Sequence, residues 1–501
     1  MFQQNEMVDI NQLVALNDQL RKNADAIKKS NISVGYQSNS VGAGSLSPIV
    51  PQSIEQTLAN ASFAMKDIVL WNLIPKVSVT NTYHEYAVIN EHGQDLDPFI
   101  SEGGGEASAF GTTNAQYERK FVKIKYMAER RQISDVGTLV GILGSNPNGL
   151  AEEIERGTMS LLRKVESQLF HGSELLNSNG FDGIIEQISR DTSTAYADET
   201  GGRAFSNNTS DLAGATLTPG YLHQVLGELS GLERFGKSDF IMVDPKVYSD
   251  LIKASNDFGR HDSLMLVNLL DQGVNTFGAG PKIHVMGPFG PCPVIMAPFL
   301  NKQSAPPSAG SATGPTLTAA NFVLSNPAEA VAGDSKFDAA AGDHKGVFKY
   351  KLVAVSDLGY SNAVDCGAGV QLEDGKVAKI TIAAAGVTEL GASKYLKLYR
   401  SAVGVDADYK LVAEIPVASL TAGAAGAKIA FDFGNIRRET ASVIIGQSDS
   451  MEFARLLDFL VRPTADLGAS KNLLLLLFGS CSVKTPKKNW VIRNVGAKIV
   501  L

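Results

Sequence analysis

The sequence has few cysteines, no excess of positive charge and no long apolar run. Its three cysteines, Cys292, Cys366 and Cys481, form no CxxC pair and no disulfide framework, so we expect folding in a reducing, intracellular compartment. The 52 acidic residues outnumber the 45 basic ones, and the formal net charge of -7 argues against a chain that binds nucleic acid as a whole. The most apolar run, residues 473–478, is far shorter than the roughly 20 residues of a transmembrane helix, and it predicts a strand buried on both faces.

Motifs of catalysis and export are also missing. There is no GxSxG, no HExxH and no GxGxxG after a predicted strand. GSNPNGLA, residues 144–151, has the outer spacing of a P-loop but offers Leu-Ala where Lys and Ser or Thr are needed. The pairs His84-Glu85 and Glu91-His92 lack further ligands at metal spacing, and the first residues carry acids where a secretory signal carries basic groups. We therefore expect no enzyme, no metal, no cofactor and no export.

A glycine-rich stretch separates two predicted strands. FISEGGGEASAF, residues 99–110, places three glycines between Glu102 and Glu106, whose charges would repel phosphate from the backbone amides. On either side, residues 76–89 and 115–130 alternate at strand period. The pattern predicts a two-stranded ribbon whose arms of about 14 residues reach about 45 Å.

The apolar face of this ribbon has no predicted cover within the ribbon itself. The first strand supplies Val77, Val79, Tyr83, Ala87 and Ile89, and the second supplies Val122, Ile124, Tyr126 and Ala128, with Lys123 and Lys125 on the opposite face. Because an isolated hairpin is marginal in water, we expect another protein surface to cover this face.

The strongest helix signal lies at residues 146–172. Asn148 is a capping residue, and Gly172 follows the last predicted turn. At 1.5 Å per residue the helix would be about 30 Å long. Its apolar stripe comprises Leu150, Ile154, Leu161, Val165 and Leu169, and its charged face, predicted to meet solvent or a partner, includes Glu155, Arg163 and Glu166.

The remaining chain divides by composition. Residues 7–29 predict an amphipathic helix and residues 30–53 an extended arm rich in Ser, Gly, Asn and Pro. From residue 218, helices and strands alternate as in a mixed α and β domain. After a linker that follows residue 300, short strands over residues 347–434 predict a β-sandwich, and helical patterning resumes at DSMEFARLLDFLV.

The ordered set of these segments resembles the major capsid proteins of tailed bacteriophages, the Hong Kong 97 (HK97)-type fold. Residues 166–184, ESQLFHGSELLNSNGFDGI, resemble the end of that family's spine helix and the turn after it. DFIMVDPKVYSDLIKA resembles part of its axial domain, and FGSCSVKTPKKNWVIRNV resembles its last peripheral strands. The insert is similar to fibronectin type III or bacterial immunoglobulin-like domains through residues 349–363 and 395–415.

The resemblance implies an α+β fold with an inserted all-β immunoglobulin-like sandwich. The implied divisions are residues 1–60 for the N-terminal helix and arm, 61–135 for the extended hairpin, 136–217 for the spine helix and peripheral domain, 218–303 for the first part of the axial domain, 304–437 for the insert, and 438–501 for the return to the axial and peripheral domains.

The resemblance also implies a function and partners. The chain would assemble as hexamers and pentamers into an icosahedral shell around double-stranded DNA, in a virion built in the bacterial cytoplasm. A scaffolding protein, a portal protein and a decoration protein are the implied partners, with no sequence-specific DNA binding and no membrane. Some members form an isopeptide bond from a ribbon lysine, which we do not expect because no lysine lies between Ala87 and Arg119.

Two alternatives stay open. The first is an encapsulin-like nanocompartment shell, which encloses cargo enzymes. The second is a glycan-binding adhesin or carbohydrate-active enzyme with a fibronectin-like module, which predicts a monomer.

The ribbon tip is acidic, and this predicts its docking site. The acids are Glu91, Asp95, Asp97, Glu102 and Glu106, and the candidate cations on an adjacent subunit are Lys484, Lys487, Lys488 and Arg493, or Arg156 and Arg163 of the long helix. Complementary charge would orient the tip on its neighbour.

Overall fold

A long helix, two sheets and a protruding ribbon organise the body of the chain. The computed structural model describes residues 64–92, 114–139, 149–190, 208–231, 234–258, 284–337, 345–465 and 468–496. The predicted N-terminal helix and arm and the glycine-rich stretch lie outside the described residues. The helices are α1 (Leu70–Leu73), α2 (Asp135–Leu139), α3 (Gly149–His171), α4 (Ile184–Arg190), α5 (Pro219–Leu229), α6 (Pro245–Phe258) and α7 (Ala384–Leu390).

The strands belong to the body, the ribbon or the segment between residues 304 and 437. The strands up to that segment are β1 (Lys76–Ser78), β2 (Tyr83–Glu91), β3 (Gln116–Lys123), β4 (Lys125–Ser134), β5 (Thr209–Asp211), β6 (Phe240–Val243), β7 (His284–Gly287) and β8 (Gly290–Met296). Within it lie β9 (Phe322–Ser325), β10 (Gly346–Phe348), β11 (Tyr350–Ser356), β12 (Gly359–Tyr360), β13 (Val364–Asp365), β14 (Val370–Leu372), β15 (Ala378–Ile382), β16 (Tyr395–Arg400), β17 (Lys410–Pro416), β18 (Thr421–Ala422) and β19 (Lys428–Asp432). After it follow β20 (Thr440–Gly446), β21 (Met451–Thr464), β22 (Ser470–Val483) and β23 (Trp490–Gly496).

Two sheets form the body, and the predicted α+β class is confirmed. The body sheet has the order β1-β21-β22-β4, and a six-stranded sheet has the order β5-β23-β20-β6-β8-β7. Helix α3 packs on the inner face of the body sheet through Leu161, Val165 and Leu169, which share one core with Leu475 and Leu477. Helices α5 and α6 pack on the six-stranded sheet in a second core.

The segment between residues 304 and 437 has a core of its own. One sheet has the order β12-β11-β16-β17, with β13 also on β11, and a second has the order β18-β19-β15-β9. Phe322, Tyr350, Ile380 and Leu398 are buried between them. The entry and exit of the segment meet at Gln303, whose side chain donates to the Arg437 carbonyl and accepts from the Glu439 N–H.

The prediction that Glu166 faces solvent or a partner is wrong. Its side chain is fully buried, with Oε1 accepting the N–H groups of Val69 at 3.0 Å and Leu70 at 2.7 Å, and Oε2 that of Trp71 at 2.8 Å. Helix α1 has no capping side chain of its own, so Glu166 satisfies its first N–H groups from α3. Burial raises the pKa of Glu166, although the three N–H groups oppose that shift.

The other end of α1 is held by a cation. Lys76 Nζ donates to the Trp71 carbonyl at 2.6 Å and lies 4.8 Å from the centre of the Trp71 ring. An anion at the N-terminus of a helix and a cation at its C-terminus both match the helix dipole. The four-residue helix is therefore fixed at both ends, directly before the chain enters β1.

The helical pattern at residues 449–461 predicted the wrong element. The residues form most of β21, which pairs antiparallel with β22 and, over Phe453, Ala454 and Arg455, parallel with β1. Ladder hydrogen bonds and the burial of Phe453 outweigh the helix propensity of this stretch. The strand predicted at residues 473–478 is confirmed, but only alternate side chains are buried and the others are half-buried.

The ribbon is shorter than predicted. β2 pairs with β3, whereas β1 and β4 belong to the body sheet, so arms of nine and eight residues replace arms of about 14. The ribbon meets the body sheet at Ile124, whose N–H donates to the Thr82 carbonyl at 2.9 Å. Ile124 and Lys125 are both buried, which reverses the alternation, and Lys125 donates to Glu174 at 2.6 Å.

No helix in the described part of the chain is long and apolar enough to cross a membrane.

We predict that Glu166→Gln lowers the free energy of unfolding by roughly 2–4 kcal/mol, because the amide nitrogen cannot accept and leaves a buried N–H unpaired. Urea denaturation of dissociated subunits measures this. The control is Glu155→Gln on the exposed side of α3, with an expected effect within about 0.5 kcal/mol. Equal effects of the two substitutions would contradict the capping role.

Candidate assembly surfaces

One face of the ribbon is open to solvent and carries five apolar or aromatic side chains beside the charged Glu85, Arg119 and Lys123. Residues opposite each other in an antiparallel pair share a face, and Ile89 lies opposite Tyr117 while Glu85 lies opposite Phe121. Tyr117 is 70% exposed and Phe121 is 67% exposed. We call Tyr83, Ala87, Ile89, Tyr117 and Phe121 the exposed ribbon face.

The predicted apolar positions were correct for β2 and wrong for β3. Val122 lies opposite His84, on the other face of the ribbon. That other face is half-buried, and Val88 on it is buried. The predicted apolar face of β3 continues the alternation of β4. That alternation reverses at Ile124, so the side chains of β3 point to the opposite faces.

The body sheet has a second apolar surface, on the side opposite α3. Three rows cross the sheet in register, and the members of each row share a face. We call these residues the outer sheet face: Tyr126, Phe478 and Leu457; Ala128, Leu476 and Leu460; Arg130, Leu474 and Arg462. Tyr126 is 56% exposed and packs edge-on against Phe478, with ring centres 4.9 Å apart.

Two arginines border this surface. Arg130 and Arg462 are exposed at one end of the outer sheet face, and Arg130 donates to Asn472 Oδ1 at 2.9 Å. Neither arginine is among the cations predicted from the sequence. The alternation of Tyr126, Ala128 and Arg130 was the available signal, but it needed the register with β21 to connect Arg130 with Arg462.

The cations selected from the sequence have varied surroundings. Lys484 donates to the buried carboxylate of Glu452 at 2.7 Å, and Lys487 is buried within its own subunit. Lys488 follows in the same turn and is half-buried, while Arg493 is exposed and donates to Ser189 Oγ at 2.6 Å. On α3, Arg156 pairs with Glu152 at 2.7 Å and Arg163 is exposed.

The acids of the predicted docking site are not placed by the structure. Asp95, Asp97, Glu102 and Glu106 lie outside the described residues, and of Glu91 the backbone alone is described. The docking of the tip on a neighbour stays a prediction.

The base of the ribbon is attached to the body through Glu452. His84 Nε2 lies 2.8 Å from Glu452 Oε1, and Ser482 Oγ donates to the same oxygen at 3.2 Å. Burial would raise the pKa of Glu452, but the hydrogen bonds from Lys484 and His84 outweigh it and lower the pKa. Glu452 is therefore a buried anion shared by the ribbon and the body.

A second buried carboxylate joins residues 304–437 to the body. Glu414 of β17 pairs with Lys302, in the segment that leads out of the body, and with Lys397 of β16 at 3.6 Å. Beside it, His171 at the end of α3 bonds to the Leu300 carbonyl at 2.8 Å, and burial lowers the pKa of His171 to about 4. Lys394 also reaches Asn177 Oδ1 at 3.2 Å, so the joint has several contacts.

The described residues contain few groups that could bind a metal ion or act as a nucleophile. No three His, Cys, Asp or Glu among them are grouped to hold a metal ion. All three cysteines are buried as free thiols, and burial raises the pKa of Cys366 and of Cys481 to about 12, so neither is a thiolate at neutral pH.

No protein-family model matches the sequence, and no curated protein matches it. Among solved structures the chain is similar to the capsid of a native GTA particle, at TM-score 0.42 and 10% identity over 91% of this chain and 99% of that chain. It is similar to the capsid of the cyanophage P-SCSP1u, at TM-score 0.43 and 8% identity over 91% and 96%. It is also similar to the holo-SrpI encapsulin complex of Synechococcus elongatus PCC 7942, at TM-score 0.37 and 10% identity over 88% and 94%. At these TM-scores and identities, the likenesses decide neither the fold family nor the function.

We predict that Glu414→Gln weakens the attachment of residues 304–437 to the body and lowers the stability of the folded chain. Burial would raise the pKa of Glu414, but Lys302 and Lys397 lower it below its ordinary 4.5. A carboxyl group with a depressed folded pKa stabilises the fold above its unfolded pKa, and that contribution is lost as pH falls through the folded pKa. As pH falls below the ordinary 4.5, the wild type should therefore lose about 1–2 kcal/mol of stability that Glu414→Gln already lacks at pH 7.

Thermal unfolding at a series of pH values measures this difference. The control is Glu373→Gln, an exposed carboxylate of the same segment. A constant difference between wild type and Glu414→Gln at every pH would contradict the assignment.

Proposed function

We propose that the chain is the major capsid protein of a tailed bacteriophage, with an HK97-type fold, and that it assembles with copies of itself into an icosahedral shell around double-stranded DNA. The observation that carries the proposal is the exposed ribbon face: five apolar or aromatic positions on a two-stranded ribbon that the described part of the chain leaves open to solvent. Such a face is costly in a monomer, and association removes it from water. The order of ribbon, long helix, mixed domain and closing strands agrees with the resemblance seen in the sequence.

The outer sheet face of a neighbouring subunit is the best receiver for the ribbon. Both surfaces are exposed in a single chain, so neither covers the other there. A contact between two different surfaces is heterologous, and such a contact forms a ring when its rotation closes. Hexamers and pentamers are rings of this kind, so this pairing suits them.

Charge supports the same pairing. The acids of the ribbon tip, predicted to dock on a basic surface, would meet Arg130 and Arg462 at the border of the outer sheet face. These arginines replace Lys484 and Lys487, of which the first already pairs with Glu452 and the second is buried. Arg493, Lys488, Arg156 and Arg163 remain as alternatives, of which the charge exchange below tests Arg493 against Arg462.

We also propose that residues 304–437 are an inserted immunoglobulin-like or fibronectin type III-like sandwich, displayed on the outside of the shell. Two sheets with a core of their own support the insertion, as do the adjacent entry and exit at Gln303. The remaining domain divisions follow the HK97-type order, and the implied partners are a scaffolding protein, a portal protein and a decoration protein, without enzymatic activity.

We predict that Phe121→Ser and Tyr117→Ser abolish particle formation while the unassembled subunit keeps its stability to within about 0.5 kcal/mol, because both side chains are exposed. Electron microscopy and size-exclusion chromatography measure assembly, and urea denaturation measures stability. The control is Leu358→Ser, which removes an equally exposed side chain from the insert.

The content of the wild-type particles separates the alternatives. Double-stranded DNA after infection indicates a phage shell, whereas a cargo enzyme without DNA indicates an encapsulin-like compartment. A wild-type chain that stays monomeric in every condition would refute the shell and favour the adhesin or the carbohydrate-active enzyme.

We predict that Arg462→Glu raises the protein concentration needed for assembly by about tenfold or more, because like charges then meet at the docking site. Reversal of the tip by Glu102→Lys with Glu106→Lys should restore assembly of Arg462→Glu. Arg493→Glu tests the receiver selected from the sequence. Light scattering against concentration measures each variant, and rescue of Arg493→Glu rather than Arg462→Glu would move the docking site to Arg493.

A further inference from the structure

The contact between His84 and Glu452 joins two parts of the chain that differ in their packing. His84 is on β2 of the ribbon, and Glu452 is at the start of β21, buried to 97% by the body sheet. His84 Nε2 lies 2.8 Å from Glu452 Oε1, and both side chains are shielded from water, which strengthens the interaction. We call this pair the ribbon-base contact.

We propose that the strength of the ribbon-base contact depends on pH. The contact is strong while His84 is protonated and weak when it is neutral, and it determines how firmly the ribbon is held against its own subunit. A hydrogen bond between two charged partners is roughly twice as strong as one between neutral partners. Histidine is the side chain that ordinarily changes charge between pH 5 and 8. A change of pH in that interval would therefore act on the ribbon base.

Lys484 confines the effect to the ribbon. It donates to the second oxygen of Glu452, Oε2, at 2.7 Å, so the buried carboxylate keeps a cationic partner when His84 loses its proton. Ser482 continues to donate to Oε1. The body sheet thus has no unpaired charge at either pH, and the difference in free energy falls on the strand that carries His84.

The other groups that face the pair do not supply a competing titration. From the body these are Lys484 and the Cys481 thiol, whose pKa burial raises to about 12. On the ribbon, Tyr86 and Lys120 share the face of His84, and Lys120 pairs with Glu118 at 3.5 Å. Among these described groups, the histidine is the one whose side-chain type ordinarily changes charge between pH 5 and 8.

Glu452 sets the acid limit of the contact. Its pKa is depressed, so its contribution is present above the ordinary 4.5 and is lost as pH falls through the lower folded value. The contact is then strongest in mildly acidic solution, where Glu452 is still ionised and a histidine side chain is ordinarily protonated. It weakens as the solution becomes alkaline.

Hydrogen exchange of the ribbon in dissociated subunits tests the proposal, independently of whether the chain forms a shell. After correction for intrinsic exchange, protection of β2 amides in the wild type should fall about fivefold between about pH 5 and 8. In His84→Gln, which forms a hydrogen bond but does not titrate, protection should be low and constant. In His84→Lys, which stays charged, it should be high and constant.

His223→Gln is the matched control, because His223 is an exposed histidine on α5, which packs on the six-stranded sheet. This variant should keep the wild-type profile. Constant protection in the wild type would overturn the proposal. So would the same fall in His84→Gln as in the wild type, because the titrating group would then be another. If His84→Gln does not fold, the constant profile of His84→Lys alone supports the proposal, and a sloping one refutes it.

Discussion

The carboxylate of Glu166 connects the elements on which the ribbon depends. Its three N–H donors are those of Val69, which precedes α1, and of Leu70 and Trp71 in α1. Its backbone belongs to α3, so one side chain holds the segment before the ribbon against the longest helix of the body. Lys76 then holds the other end of α1 and begins β1, which pairs with β21. A two-stranded ribbon has little stability of its own. Its direction is therefore determined by these buried contacts at its base.

The same construction explains why apolar surface stays uncovered. Helix α3 covers one side of the body sheet, and the described chain leaves the other side open at Tyr126, Leu460 and their neighbours. The ribbon strands β2 and β3 follow β1 and precede β4 of that sheet, and they leave Tyr117 and Phe121 exposed. A chain whose two exposed apolar surfaces are fixed in position loses little conformational entropy when a copy of itself covers them. Rigid attachment at the base thus favours assembly as well as folding.

The sequence predicted those elements whose signal is local. The α3 boundaries follow from the Asn148 region and Gly172, and the helices and strands from residue 218 onward follow from their periodicity. Glu166 was placed on the wrong face because nothing near it in sequence reveals three N–H donors about 96 residues away. β21 read as helical because its pairing with β22 and β1 is a tertiary effect. Arg130 and Arg462 could not be connected without the register of the body sheet, since they lie on different strands and share a row through Leu474.

Residues 304–437 form a unit with a core of its own, and the body strands lie on either side of it in sequence. Gln303 bonds to both Arg437 and Glu439, so the chain leaves and re-enters the body at adjacent positions. The joint is nevertheless not a flexible tether, because Glu414 pairs with Lys302 and Lys397 in a buried position beside the end of α3. Desolvated pairs of this kind are costly to break one partner at a time. Residues 304–437 are therefore held in a fixed orientation on the body, and any surface that they present is presented at the same angle on every copy of the chain.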